Sequence, residues 1–118
     1  MGISKNFRRS EFKCRCGHCD FDTVDTELVV VLQVLRDQFK SPVKITSGNR
    51  CPEYNNLVGG SRNSQHIKGR AADIQVKDVS PVIVQDYLKK AYSGRFGIGS
   101  YALFTHIDTR TTTGRWDG

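Results

Sequence analysis

The run Ser64-Gln65-His66-Ile67-Lys68-Gly69-Arg70-Ala71-Ala72-Asp73 sets an imidazole and a carboxylate seven positions apart across a glycine. That spacing suits a chain that bends at Gly69 and enters a strand, which would let both side chains converge on one ion. Farther on, His106-Ile107-Asp108 falls in a strand-like stretch, where residues two apart point to the same face. A second imidazole can therefore arrive beside another carboxylate. Two neutral imidazoles and one carboxylate, with the fourth position left to water, make an open zinc site suited to hydrolysis. Such an ion lowers the pKa of its bound water toward about 7 and polarises a carbonyl, while a nearby base moves the proton. Read from spacing alone, His66, Asp73 and His106 are also open to ordinary surface or capping roles.

A second cluster of metal-ligating residues lies near the start of the chain. Cys14, Cys16 and Cys19 fall within six residues, Cys51 lies far along the chain, and His18 stands among the first three. Three cysteines so close together cannot all form comfortable local disulfides. A closed zinc site of four thiolates is one solution, tying the N-terminal arm to the loop after Arg50. Disulfides formed in an oxidising space and free thiols are the alternatives. His18 reads as a plain surface residue, and Trp116 and Tyr101 as core or rim aromatics.

Several elements must position these groups. Leu28, Val31, Leu32, Leu35 and Phe39 recur at three- and four-residue steps and predict a helix over residues 23–40, capped by Thr23 and ended by Ser41-Pro42. A short strand over 43–46 leads into Ser47-Gly48. Residues 49–68, rich in Asn, Gly, Ser and charge, read mainly as loop, and loops this long in small domains are usually functional. Tyr54 and Asn55 follow Pro52-Glu53 as the start of a helical turn, with no chemistry assigned. A strand is expected over 71–76. A second helix begins at Ser80-Pro81, turns Ile83, Val84, Tyr87, Leu88 and Ala91 to the core, and stops by Gly94. Two further strands fall over 96–101 and 103–109.

With 118 residues the chain fits one domain, 1–118, and a cysteine-rich arm over about 10–20 packs on it. The apolar fraction of 37% and charged fraction of 25% are those of a folded globule. A formal charge of +6 attracts polyanions, among them nucleic acid, anionic lipid and acidic wall polymers, but the basic residues are scattered from Lys5 to Arg115. No apolar run reaches the roughly 18 residues of a membrane span, and the first residues lack the apolar core of a secretory signal. Synthesis in the cytoplasm is expected, with action outside it after lysis or export. A monomer is expected.

Taken together, Ser64-x-His66, Gly69-x-Ala71-x-Asp73 and the later strand His106 resemble the zinc D-Ala-D-Ala carboxypeptidase family, which includes phage endolysins and shares its fold with the hedgehog signalling domain. Glu11-Phe12, Thr46-Ser47-Gly48-Asn49-Arg50, Gly59-Gly60, His106-Ile107-Asp108 and Arg115-Trp116 extend the match over most of the chain, in the expected order. The resemblance implies an α+β fold: a small antiparallel sheet carries the metal on one face, and two helices pack on the other. It implies zinc held by His66, Asp73 and His106, Arg50 gripping a substrate carbonyl or terminal carboxylate, and Ser64 orienting the site. The substrate it implies is a peptide bond in peptidoglycan stem peptides, cut by a carboxypeptidase or an endopeptidase that reaches the wall after lysis or export or as part of a phage particle. A guanidinium beside a glycine turn independently suits carboxylate or oxyanion recognition, against the alternative of a surface salt bridge.

In one respect the sequence departs from that pattern. Many relatives place a carboxylate three residues before the second ligand His, or another His two before it, where this chain has Leu103 and Phe104. Asp108 is the remaining candidate for general base, with orientation of a ligand histidine as its other role. Two rival readings follow: an inactive wall-binding or phage structural module on the same fold, and a basic zinc-knuckle protein that binds nucleic acid through the cysteines near Arg8, Arg9, Lys13 and Arg15. The second rival leaves His66, Asp73 and His106 unexplained, and the favoured reading includes no nucleic acid.

Overall fold

Leu28, Val31, Leu32 and Leu35 bury one stripe of a helix, α1, that spans Thr26–Phe39. The computed structural model describes residues 3–19, 22–61 and 64–118. Asp20, at the end of the cysteine-rich arm, and Arg62 and Asn63, in the loop expected over 49–68, lie outside them. The helix starts later than the expected cap at Thr23. Asp25 takes the N-cap position, but its backbone N–H donates to the Gly69 carbonyl at 2.8 Å and its carboxylate accepts from the Thr109 hydroxyl at 2.9 Å. The segment before α1 is thereby strapped against the turn at Gly69. That turn requires glycine, because φ is +70° there and a Cβ would lie 2.6 Å from the Thr23 carbonyl oxygen. At the other end, Lys40 adopts a left-handed conformation and closes the helix.

The strands are β1 (Val43–Ser47), β2 (Ala71–Val76), β3 (Gly97–Ser100), β4 (Thr105–Asp108) and β5 (Gly114–Asp117), in the spatial order β1-β2-β4-β3-β5. The first four pair antiparallel, as expected, whereas β5 adds a parallel edge to β3 that sequence reading did not foresee. Four residues of the type Gly-Arg-Trp-Asp carry no alternation that would reveal a strand. A helix α2 (Pro52–Leu57) also interrupts the stretch read mainly as loop, with Pro52 at its first turn and Cys51 as its cap. Six residues are too few for a periodic signal.

One face of the sheet is apolar. Val43, Ile45, Ala72, Ile74, Val76, Ile98 and Ile107 form the core with α1 and with α3 (Pro81–Ala91), and Phe7 and Phe12 of the arm join it. Leu32 is fully buried there, so truncation to Ala would cost about 2–5 kcal/mol. Helix α3 is rotated from the expected register: Val84, Gln85 and Leu88 are buried, while Ile83 and Ala91 face solvent. The reason is Gln85, whose amide donates to the carbonyls of Tyr101 and Phe104 and to the Thr105 hydroxyl. These bonds satisfy the turn before β4, which is why that strand begins at Thr105 and the expected strand residue Leu103 lies exposed in the turn.

Candidate metal centre and substrate groove

On the opposite face of the sheet, register brings the polar groups together. Asp73 on β2 pairs directly with His106 on β4, and Ala71 pairs with Asp108, so the two aligned strands present Asp73, His106 and Asp108 on one side. His66 comes from the turn before β2. Its backbone carbonyl accepts from the Arg50 N–H and the Asn49 amide, both at 3.0 Å, and its N–H donates to the Ser64 hydroxyl at 3.1 Å. A β-bulge between Ile45 and Ser47 shifts the β1 register so that Ser47 pairs with Asp73, and the strand then runs into the Gly48–Arg50 segment at this turn.

The hydrogen bonds assign the imidazole nitrogens. His66 Nδ1 lies 2.7 Å from the Gly48 carbonyl, which can only accept, so Nδ1 carries a proton there and Nε2 is the nitrogen turned toward Asp73 Oδ1 at 3.3 Å. His106 turns the other way, with Nε2 2.7 Å from Asp108 Oδ2 and Nδ1 3.0 Å from Asp73 Oδ1. One nitrogen of each ring thus faces the same carboxylate oxygen. The ligand atoms of His66, Asp73 and His106 all lie within 4.8 Å of one another, and all three residues are buried. Two imidazole nitrogens and one carboxylate oxygen, each imidazole steered by a partner on its far nitrogen, fit zinc.

Burial would raise both carboxyl groups, yet both are held well below the usual carboxylate range. His106 and His66 do this for Asp73, and His106 and Arg110 for Asp108. Burial pushes His106 down, but Asp108 and Asp73 outweigh it and raise the imidazole above its ordinary value. The Asp108 side chain has no exposed surface; Arg110 binds it through Nε at 2.8 Å and Nη2 at 2.7 Å. Two glycines of β3 make room for these groups. A Cβ on Gly97 would fall on both carboxylate oxygens of Asp108, and one on Gly99 would lie 2.6 Å from the Trp116 indole nitrogen.

Arg50 stands beside the cluster. Its Nη2 reaches Asp73 Oδ2 at 3.3 Å, its Nη1 the Asn55 side-chain oxygen at 3.2 Å and its Nε the Ser47 hydroxyl at 3.2 Å. Asn55 is fixed in turn by donating to the Ser61 carbonyl at 2.8 Å. An open groove of about 640 Å³ runs over these groups, lined also by Gly59, Gly60 and Ser64 and by Tyr101, Phe104 and Trp116. Tyr101 stacks on Phe104 with ring centroids 4.3 Å apart, and its hydroxyl accepts from the Trp116 indole N–H at 3.0 Å. The His106 and Trp116 rings are 5.0 Å apart.

The peptidase M15 family model matches residues 5–108, from the arm through the last of these strand residues. The chain belongs to the peptidase M15 family. Membership bears out the resemblance to the zinc D-Ala-D-Ala carboxypeptidases and the α+β fold expected from it, and identifies a zinc peptidase of the cell-wall type. No curated protein matches the chain. Among the described residues no helix is long and apolar enough to cross a membrane.

The M15 chain places its sequence-derived residues unevenly. His66, Asp73, His106, Asp108, Arg50 and Ser64 come together around one point, and Cys14, Cys16, Cys19 and Cys51 around another. His18 is exposed and outside the thiol cluster. Arg115 points away from the groove, pinned to the carbonyls of Phe96 and Tyr92 at 2.7 Å each. Sequence reading missed Asn55 and Arg110, which lock Arg50 and Asp108. For Arg110 the only available signal was its place two residues beyond Asp108, and for Asn55 its place one turn into the helix that Pro52 opens.

Proposed function

We propose that this M15 chain hydrolyses a peptide bond in peptidoglycan stem peptides, as a D-Ala-D-Ala carboxypeptidase or a cell-wall endopeptidase. One observation carries the reading: His66 Nε2 and His106 Nδ1 meet Asp73 Oδ1 on the floor of an open groove, with Arg50 beside them. His66, Asp73 and His106 would hold the zinc. When bound, that ion supplies a Lewis acid for the scissile carbonyl and acidifies a water at neutral pH.

The remaining work falls to side chains. Arg50 spends three N–H groups on Ser47, Asn55 and Asp73, which fix the guanidinium plane and leave its other N–H groups for a substrate carbonyl or carboxylate. Asp108 serves as a positioning residue: both oxygens are bound by Arg110 and His106, so it holds the His106 ring with Nδ1 forward instead of facing the groove. Ser64 fixes the backbone of His66. Tyr101, Phe104 and Trp116 give the groove an aromatic wall against which a peptide stem can pack. An open groove suits a cross-linked polymer, and the net charge of +6 favours its approach to acidic wall polymers.

A second reading, a stem-peptide binding module, is favoured by a different observation. Among the described residues lining the groove, Asp73 is the only carboxylate, and it is assigned to the metal. Mass spectrometry of a defined stem peptide ending in D-Ala-D-Ala, and of purified peptidoglycan, after incubation with the zinc-loaded chain separates the readings. Loss of the terminal residue marks a carboxypeptidase, and cleavage within stems or cross-links an endopeptidase. Saturable binding with every bond intact would replace the hydrolytic reading with the binding one.

A further inference from the structure

Away from the groove, the arm and the segment after Arg50 meet at four sulfurs. Cys14, Cys16, Cys19 and Cys51 have their Sγ atoms within 4.8 Å of one another, and the Cys16 and Cys19 sulfurs are 3.3 Å apart. A tetrahedral zinc ion bound by thiolates at about 2.3 Å sets its sulfurs roughly 3.8 Å apart. The cluster is therefore close to that size without rearrangement of the chain. No histidine belongs to it, since His18 turns to solvent.

The backbone around the sulfurs is arranged as metal-bound thiolates require. The His18 N–H points to Cys16 Sγ at 3.2 Å, the Cys51 N–H to Cys14 Sγ at 3.3 Å and the Tyr54 N–H to Cys51 Sγ at 3.4 Å. Backbone donors of this kind orient thiolates and disperse their charge. The first of them depends on Gly17, whose φ of +79° folds Cys16-Gly17-His18-Cys19 into a tight turn that brings both thiols to the same side. Cys14 is buried, whereas the other three are half-buried.

We propose that Cys14, Cys16, Cys19 and Cys51 hold a structural zinc ion as a closed four-thiolate site. Four protein ligands leave no position for water or substrate, so this ion fastens the chain and takes no part in hydrolysis. What it fastens is the back of the groove. Cys51 directly follows Arg50, the Asn49 N–H donates to the Phe12 carbonyl at 2.8 Å, and the Gly48 carbonyl holds His66 Nδ1. The ion clamps both ends of this contact, the arm through Cys14, Cys16 and Cys19 and the Gly48–Arg50 segment through Cys51. Among its described residues the arm has little regular structure, a 3-10 turn over Arg9–Phe12, and a metal is a common staple for such a segment.

The test uses the full chain, produced in zinc-supplemented medium and purified under nitrogen. A His66→Ala/Asp73→Ala variant removes the other donor set, so native mass spectrometry should still find one zinc per chain. Its four thiols should resist iodoacetamide until a chelator is added, and cobalt substitution should give intense sulfur-to-metal charge-transfer absorption. Should that variant fail to fold, zinc-edge X-ray absorption on the unaltered chain must show a sulfur shell. Zinc with only nitrogen and oxygen neighbours overturns the proposal. So do iron in place of zinc, thiols that react freely without a chelator, and thiols that become reactive only after reduction, which would mark disulfides.

Discussion

Asp108 holds His106 from behind: its Oδ2 lies 2.7 Å from His106 Nε2, and no part of its side chain reaches solvent. The sequence left Asp108 with two roles, general base or orienting partner, and this geometry favours the second. Asp108→Asn should weaken zinc affinity by roughly 10- to 100-fold, with added zinc restoring much of the rate. Zinc occupancy and turnover measured on the same sample check this. Full occupancy with turnover lowered by about 10² to 10⁴ would instead make Asp108 the base.

Gly97 pairs with Asp108 across β3 and β4, and its missing Cβ is the space in which the carboxylate and Arg110 sit. Gly97→Ala should destabilise the fold by about 1–3 kcal/mol, as overpacking does, and lower zinc affinity along with it. Denaturant unfolding and zinc titration are the readouts. Unchanged stability and unchanged affinity would show that Asp108 does not need that space.

How much of this arrangement was legible beforehand depends on range. The helix α1 stripe and β2 follow from local periodicity, and the approach of His66 to Asp73 from a glycine at a strand entrance, whereas His106 is joined to them through the family resemblance and meets Asp73 through the β2–β4 register. β5 was not legible for the opposite reason, because its parallel pairing with β3 is made only by the fold. Asn55 and Arg110 lie close in sequence to Arg50 and Asp108, but no local pattern marks the side-chain bonds by which they hold them. Gln85 belongs with them. A polar residue at a position that periodicity leaves unassigned is buried because three acceptors near β4 await its amide.

Arg50→Lys should lower kcat/KM by roughly 10- to 100-fold, the equivalent of one lost charge-assisted bond of about 1.5–3 kcal/mol. Thermal stability should change much less. Asn55→Ala, which frees the guanidinium without removing it, should give a smaller loss in the same direction. Steady-state kinetics on a synthetic stem peptide would contradict the assignment if Arg50→Lys behaved as the parent does.

The metal-free cluster makes stability depend on pH in a defined sense. Asp73 and Asp108 titrate below their unfolded values, so their contribution is present above about pH 4 and is lost as pH falls through the lowered pKa values. His106 titrates above its unfolded value, so its contribution is full below about pH 6.5 and is lost as pH rises through the raised one. Chelator-treated protein should therefore draw most stability from this cluster between about pH 4 and 6.5, as urea unfolding at several pH values would show. Zinc requires His106 without its proton on Nδ1, so stabilisation by added zinc should grow above that window. A zinc effect that weakens with rising pH would contradict the ligand assignment.

Zinc content and peptidoglycan hydrolysis, measured together in the parent chain and in His66→Ala, test whether His66, Asp73 and His106 hold the zinc with which this chain would cut stem peptides. The parent should release stem-peptide fragments, and His66→Ala should stay folded while losing hydrolysis and one zinc. Hydrolysis at the parent rate by folded His66→Ala, or no hydrolysis by the fully zinc-loaded parent, would contradict this reading.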